Sequence, residues 1–150
     1  MLEAISLSRN GCQNNEGGPF GCVIVKGDAI VGRGNNRVTS SNDPTAHAEV
    51  VAIRDACKNL NTFQLDDCEI YTSCEPCPMC LGAIYWARPK IVYYANTRKD
   101  AANIGFDDSM IYEEMSADLD KRKIPIIALG REDALKIFQD WENKTDKITY

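Results

Sequence analysis

No apolar stretch in this sequence is long enough to cross a bilayer; its uninterrupted apolar runs last only a few residues. No charged-then-apolar leader opens it, and no linker, repeat or low-complexity tract interrupts it. These absences predict a cytoplasmic protein with no membrane segment and one domain spanning 1–150. A chain of 150 residues buries about 70% of its unfolded surface, enough for a core without staples. Positive charge is also short. The 17 Lys and Arg stand against 22 Asp and Glu, for a net charge of −5. Nucleic-acid binding calls for a basic face that neutralises phosphates. The two basic clusters, Arg98-Lys99 and Lys121-Arg122-Lys123, read as solvated loop and helix faces. A small neutral substrate suits this charge better, with no nucleic-acid partner expected.

Cysteine is plentiful but badly arranged for disulfides. The count of 7 is odd, and Cys74, Cys77 and Cys80 crowd into one short segment. A reducing compartment follows. Cys12, Cys22, Cys57 and Cys68 are expected to be small core hydrophobes.

Periodicity predicts a helix from Glu3 to Cys12 ending at Gly11, then a hairpin of Phe20–Val25 and Ala29–Gly34 joined through Lys26-Gly27-Asp28. A turn at Ser41-Asn42-Asp43-Pro44 leads into helical periodicity from Ala46 to Leu60. Cys68–Thr72 reads as a strand, Cys77–Ala87 as a helix and Ile91–Ala95 as a strand. A helix around Met110–Met115, a fifth strand at Ile124–Leu129 and a closing helix at Arg131–Trp141 complete the reading. Strands alternating with helices after a hairpin give an α/β domain, a three-layer α/β/α with a central five-stranded mixed sheet.

The chemistry concentrates in two segments, Thr45-Ala46-His47-Ala48-Glu49 and Pro76-Cys77-Pro78-Met79-Cys80. One imidazole and two thiolates leave a tetrahedral zinc with an open position, which separates a catalytic site from a closed structural one. Zinc lowers the pKa of water in that position from about 16 towards 7. Glu49 is placed to carry the proton. His47 and Glu49, two apart at a helix start, are about 200° apart around the axis, so one addresses the metal and the other reaches past it. Cys77 and Cys80 share a helix face, and Pro76 is suited to open that helix. Cys74-Glu75-Pro76-Cys77 is a second C-x-x-C, but its proline leaves Cys74 at a strand end, off that face. A lone C-x-x-C is more often a redox pair or half of a structural site. The only histidine of the chain, standing beside an acid, argues against both.

The pattern H-x-E followed by P-C-x-x-C is the signature of zinc-dependent nucleobase deaminases. On these residues the sequence resembles the cytidine and deoxycytidylate deaminase superfamily. The tracts Asn42–Glu49, Tyr71–Cys80, Ala83–Arg88 and Gly105–Ser109 are similar to its bacterial guanine deaminase branch. The resemblance implies zinc-dependent hydrolysis of guanine to xanthine and ammonia, with His47, Cys77 and Cys80 on one zinc per subunit. It implies Glu49 as the proton carrier, Asn36 and Asp108 hydrogen-bonded to the purine, and Phe20 and Trp86 flanking it. It also implies a homodimer whose C-terminal tail, about 142–150, is swapped so that Tyr150 closes the partner's site. Each of these residues has a plainer reading as well. Asn36 serves turn chemistry, and Asp107-Asp108 caps a helix before Ser109. Phe20 and Trp86 are core aromatics, and Tyr150 is a loose end. Three other functions share the zinc motifs: a tRNA adenosine deaminase, which the acidic charge opposes; a deaminase of a related amino-substituted base, whose hydrogen-bond edges resemble guanine's; and a non-catalytic zinc-stabilised domain, in which the open position has no use.

Overall fold

The computed structural model describes every residue, Met1–Tyr150. Its contacts group into two compact units, Met1–Ser109 and Met110–Tyr150. The first unit contains helix α1 (Leu2–Gln13), strands β1 (Gly21–Lys26) and β2 (Ala29–Asn35), the single-turn helix α2 (Val38–Ser41) and helix α3 (Ala48–Leu60). Strand β3 (Cys68–Cys74), helix α4 (Pro78–Ala87), strand β4 (Ile91–Asn96) and helix α5 (Arg98–Asn103) follow. Helix α6 (Ser109–Ser116) begins at the boundary, and helix α7 (Arg131–Asn143) lies in the second unit.

The sheet has four strands in the order β2-β1-β3-β4. β1 runs antiparallel to both β2 and β3, while β4 runs parallel to β3 with α4 as the crossover between them. The sheet is therefore mixed. Alternation along β1 and β3 turns Cys22, Ile24, Cys68 and Ile70 to one face, where Ala48, Ala52 and Ala56 of α3 and Ile84 and Ala87 of α4 close the core. The i, i+4 alanines of α3 give it a thin flank, and Gly34 of β2 takes advantage of it. A Cβ on Gly34 would stand 2.2 Å from the Ala48 carbonyl oxygen and 2.6 Å from the Ala52 nitrogen. The small residues on both elements let helix and strand meet backbone to backbone. On the opposite face α1 packs against β1, with Ala4 fully buried. Helices thus cover both faces of the sheet, the expected three layers.

The fold corrects several expectations. Ile124–Leu129 joins no ladder, so the sheet has four strands rather than five. These residues lie in the solvent, Leu129 being 96% exposed; a strand exists only against a hydrogen-bonding neighbour, and β4 is left as an edge with Tyr93 and Tyr94 exposed. Gly11 does not stop α1, which runs on to Gln13. Helix α4 is opened by Pro78 at its first position rather than by Pro76. Cys12 is exposed and belongs to no core. The second unit pairs α6 with a following segment, giving a groove lined by Met110, Ile111, Met115, Ile124 and Ile126.

Candidate metal centre

His47 and Cys77 occupy equivalent places: each is the N-cap of its helix, α3 and α4, with φ/ψ of −69°/154° and −67°/167°. An N-cap residue keeps an extended backbone, so its side chain projects across the helix end rather than down its flank. Cys80 follows in the first turn of α4. The spacing of N-cap and third helical residue, used elsewhere for capping boxes, here turns two thiols towards one point. His47 Nδ1 lies 3.5 Å from Cys77 Sγ and 3.5 Å from Cys80 Sγ, and the three atoms all fall within 4.8 Å of one another. A tetrahedral zinc with Zn–N of about 2.0 Å and Zn–S of about 2.3 Å sets nitrogen and sulfur about 3.6 Å apart. The donor set and its spacing fit zinc, with one position left open.

The electrostatics favour a cation at this point. The neighbouring Cys80 thiol and then His47 draw the Cys77 pKa down to about 4. Cys80 is pushed up, first by its closeness to Cys77 and then by burial. His47 is raised, chiefly by its bond to Cys77. A divalent ion replaces these protons, and the partial positive charge at both helix starts adds to its hold on thiolate. Glu49, 6% exposed, sits just behind. Its Oε1 accepts from Thr72 Oγ1 at 3.0 Å, and its Oε2 accepts from Cys80 Sγ at 3.3 Å. Burial raises the Glu49 pKa, and the Thr72 bond pulls against that rise. A carboxyl so placed keeps its proton to higher pH than an exposed glutamate does.

Asn36, buried at the end of β2, is tied in from both sides. Its N–H donates to the Phe20 carbonyl at 3.0 Å, and the next residue, Arg37, donates to the Ala46 carbonyl at 2.9 Å. That second bond sets Asn36 beside the segment entering His47. Its Oδ1 accepts from Gly18 N–H at 3.3 Å and Val38 N–H at 3.1 Å, turning Nδ2 away from that backbone. Asp108 is half-buried; burial first, and then the Cys77 charge, raises its pKa, so the carboxyl lies in the field of a metal ligand. Asp107 takes the capping role instead, its Oδ1 accepting Ser109 N–H at 2.9 Å. Phe20 meets Phe106 edge to face at 5.0 Å between ring centres. Trp86 in the last turn of α4 is 65% exposed, and Tyr150 is 71% exposed. Cys74 stays out of the metal trio, its thiol directed at the Thr97 carbonyl at 3.6 Å.

Two residues escape the sequence reading, and Glu75 is left without a role by it. Thr72 gives no signal, because nothing in a strand's alternation says which polar residue meets a glutamate. Phe106 lies inside the Gly105–Ser109 tract but is masked there by the acids. Glu75 ties the approach to α4 to the start of α5, accepting Arg98 N–H at 3.0 Å.

Residues 1–96 match the cytidine and deoxycytidylate deaminase zinc-binding region. The chain is 57% identical to the guanine deaminase of Bacillus subtilis over 150 residues, covering 100% of this chain and 96% of that one. The X-ray structure of guanine deaminase from Bacillus subtilis superposes with a TM-score of 0.96 at 56% identity, over 99% of this chain and 95% of the other. A tRNA-specific adenosine deaminase of Aquifex aeolicus is 44% identical over 82 residues, 54% of each chain. The metal trio, the buried glutamate beside it and the match over both zinc segments agree, and the chain belongs to the cytidine and deoxycytidylate deaminase family.

Proposed function

We infer that this chain hydrolyses the exocyclic amine of guanine, consuming water and releasing xanthine and ammonia. The observation that carries the reading is the pairing of an open three-ligand trio with the buried Glu49 carboxyl, 3.3 Å from the Cys80 ligand atom. Zinc, when bound by His47, Cys77 and Cys80, supplies a Lewis acid that activates water at neutral pH. Glu49 takes the proton that water loses, delivers it to the ring nitrogen and then assists departure of the amine as ammonia. Because the Asn36 oxygen is already engaged by two backbone N–H groups, its amide offers N–H donors, which suit the purine's oxo group. Asp108 accepts from the N–H edge on the other side of the base. Phe20 and Trp86 flank the ring, with Phe106 behind Phe20.

The working form in this reading is a cytoplasmic homodimer of single zinc deaminase domains, one zinc each. The tail at about 142–150 crosses to the partner, where Tyr150 closes the pocket. The apolar Ile124–Leu129 segment, exposed and outside any ladder, supports contact with a second copy. The deciding experiment is ammonia release from guanine, run beside cytosine, adenine, guanosine and a tRNA anticodon stem-loop, with a chelated control. Turnover confined to guanine and lost on chelation is expected. Activity on the stem-loop with none on guanine would replace this reading with tRNA adenosine deamination.

A further inference from the structure

Next to the metal centre runs a hydrogen-bond chain that no step above uses. Glu16 Oε2 accepts from Asn35 Nδ2 at 2.5 Å. The same Nδ2 reaches the Asn36 carbonyl at 3.3 Å, and Asn35 Oδ1 accepts from Arg37 Nε at 3.3 Å. The Glu16 carbonyl accepts from Ser40 N–H at 3.1 Å and Thr39 Oγ1 at 3.0 Å, while its N–H donates to the Gly11 carbonyl at 2.9 Å. Glu16 therefore fastens both flanks of the segment bearing Asn36. Its side chain grips the residue before, and its main chain grips the helix after. Gly17, the next residue, lies so near the Asn36 amide that a Cβ there would stand 2.2 Å from Oδ1. A flipped Asn36 amide would set its N–H groups against the Gly18 and Val38 donors and lose both bonds, so one orientation holds.

We propose that Glu16 is the positioning residue that fixes the Asn36 amide, and through it the preference for an oxo over an amino substituent on the purine. A donor held rigidly rewards an acceptor and leaves an amine facing an N–H; a donor free to turn its oxygen around tolerates both. Glu16 touches no substrate in this arrangement. The proposal rests on the contact between Asn36 and the purine's oxo group inferred above.

The test compares kcat/KM for guanine and 2,6-diaminopurine in the zinc-loaded full chain and in Glu16→Met, Glu16→Gln and Asn36→Ala variants. Methionine keeps volume without an acceptor. Its guanine kcat/KM falls about tenfold, and the guanine-to-diaminopurine ratio falls by a similar factor, with zinc content and Tm close to wild type. Glutamine still accepts from Asn35 and holds the ratio within about twofold. If Glu16→Met kept the wild-type ratio while Asn36→Ala lost it, the positioning role would fall and the Asn36 contact would stand. If Asn36→Ala kept the ratio too, the contact itself would fall, and the proposal with it. A glutamine variant as indiscriminate as methionine would overturn the acceptor role. Should Glu16→Met not fold, Asn35→Asp, which opposes a second carboxylate to Glu16, is read against the same outcomes.

Discussion

At Glu49 two opposed influences meet, and in the proposed mechanism their balance sets the pH range of activity. Burial favours the protonated acid, and the Thr72 hydroxyl, donating at 3.0 Å, favours the carboxylate. Only the carboxylate can take a proton, so the rate falls as pH drops through the folded pKa. Thr72→Val keeps the shape and removes the donor, lifting that pKa further. The acid limb of kcat/KM is therefore expected to move to higher pH, which a pH–rate profile on the zinc-loaded enzyme reads directly. Stability follows the same sign. A glutamate whose folded pKa is raised contributes stability that is fully present below its unfolded pKa and is lost as pH rises through the folded one. Thr72→Val enlarges that loss, by about 1.5–3 kcal/mol at neutral pH and by little in acid, where Tm should approach wild type. His47, Glu49, Cys77 and Cys80 are legible in the sequence because metal chemistry restricts residue type and local spacing together. Thr72 is not, since its role depends on β3 lying beneath α3, a relation between distant parts of the chain.

The elements place the metal ligands by their ends rather than their faces. Reading His47 and Cys77 as members of a helix start is nearly right, but both stand one residue outside the helix. Pro76 misleads because two prolines flank Cys77 and either is compatible with a helix start. Helix α5 was open to prediction: Thr97-Arg98-Lys99-Asp100 is a capping-box spacing, and both of its reciprocal bonds form. The close approach of α3 to β2 was not, because an alanine stripe and a glycine announce their fit only when paired. That fit controls the site. In Gly34→Ala the new methyl meets the Ala48 carbonyl, one residue from His47, so α3 must withdraw from the sheet and carry a zinc ligand with it. Expected outcomes are a loss of about 1–3 kcal/mol in chemical denaturation and weaker zinc retention against a chelator titration. Unchanged zinc affinity would separate the packing of α3 from the geometry of the metal site.

For the whole molecule, hydrophobic pattern reports that Ile124–Leu129 wants burial but not in which chain it finds it. The strand reading fails although the segment is apolar, because its residues stand exposed and join no ladder. Subunit mixing tests the exchange. Glu49→Ala lacks the proposed proton carrier and Tyr150→Ala the proposed closing residue, so each is expected to be nearly inactive alone. Mixed in equal amounts and allowed to exchange, half of the dimers are hybrids, and each hybrid has one intact carboxylate beneath one intact tail. Activity should recover to about a quarter of wild type if sites are shared between copies, and not at all if each tail serves its own site. The open edge of β4 has a consequence for the cell as well. In the proposed exchange, a newly made chain holds its metal ligands complete but its pocket unfinished, and completion waits on meeting another. At low abundance the working population then grows as the square of the chain's concentration, so modest changes in expression act as a threshold on guanine breakdown rather than a dial.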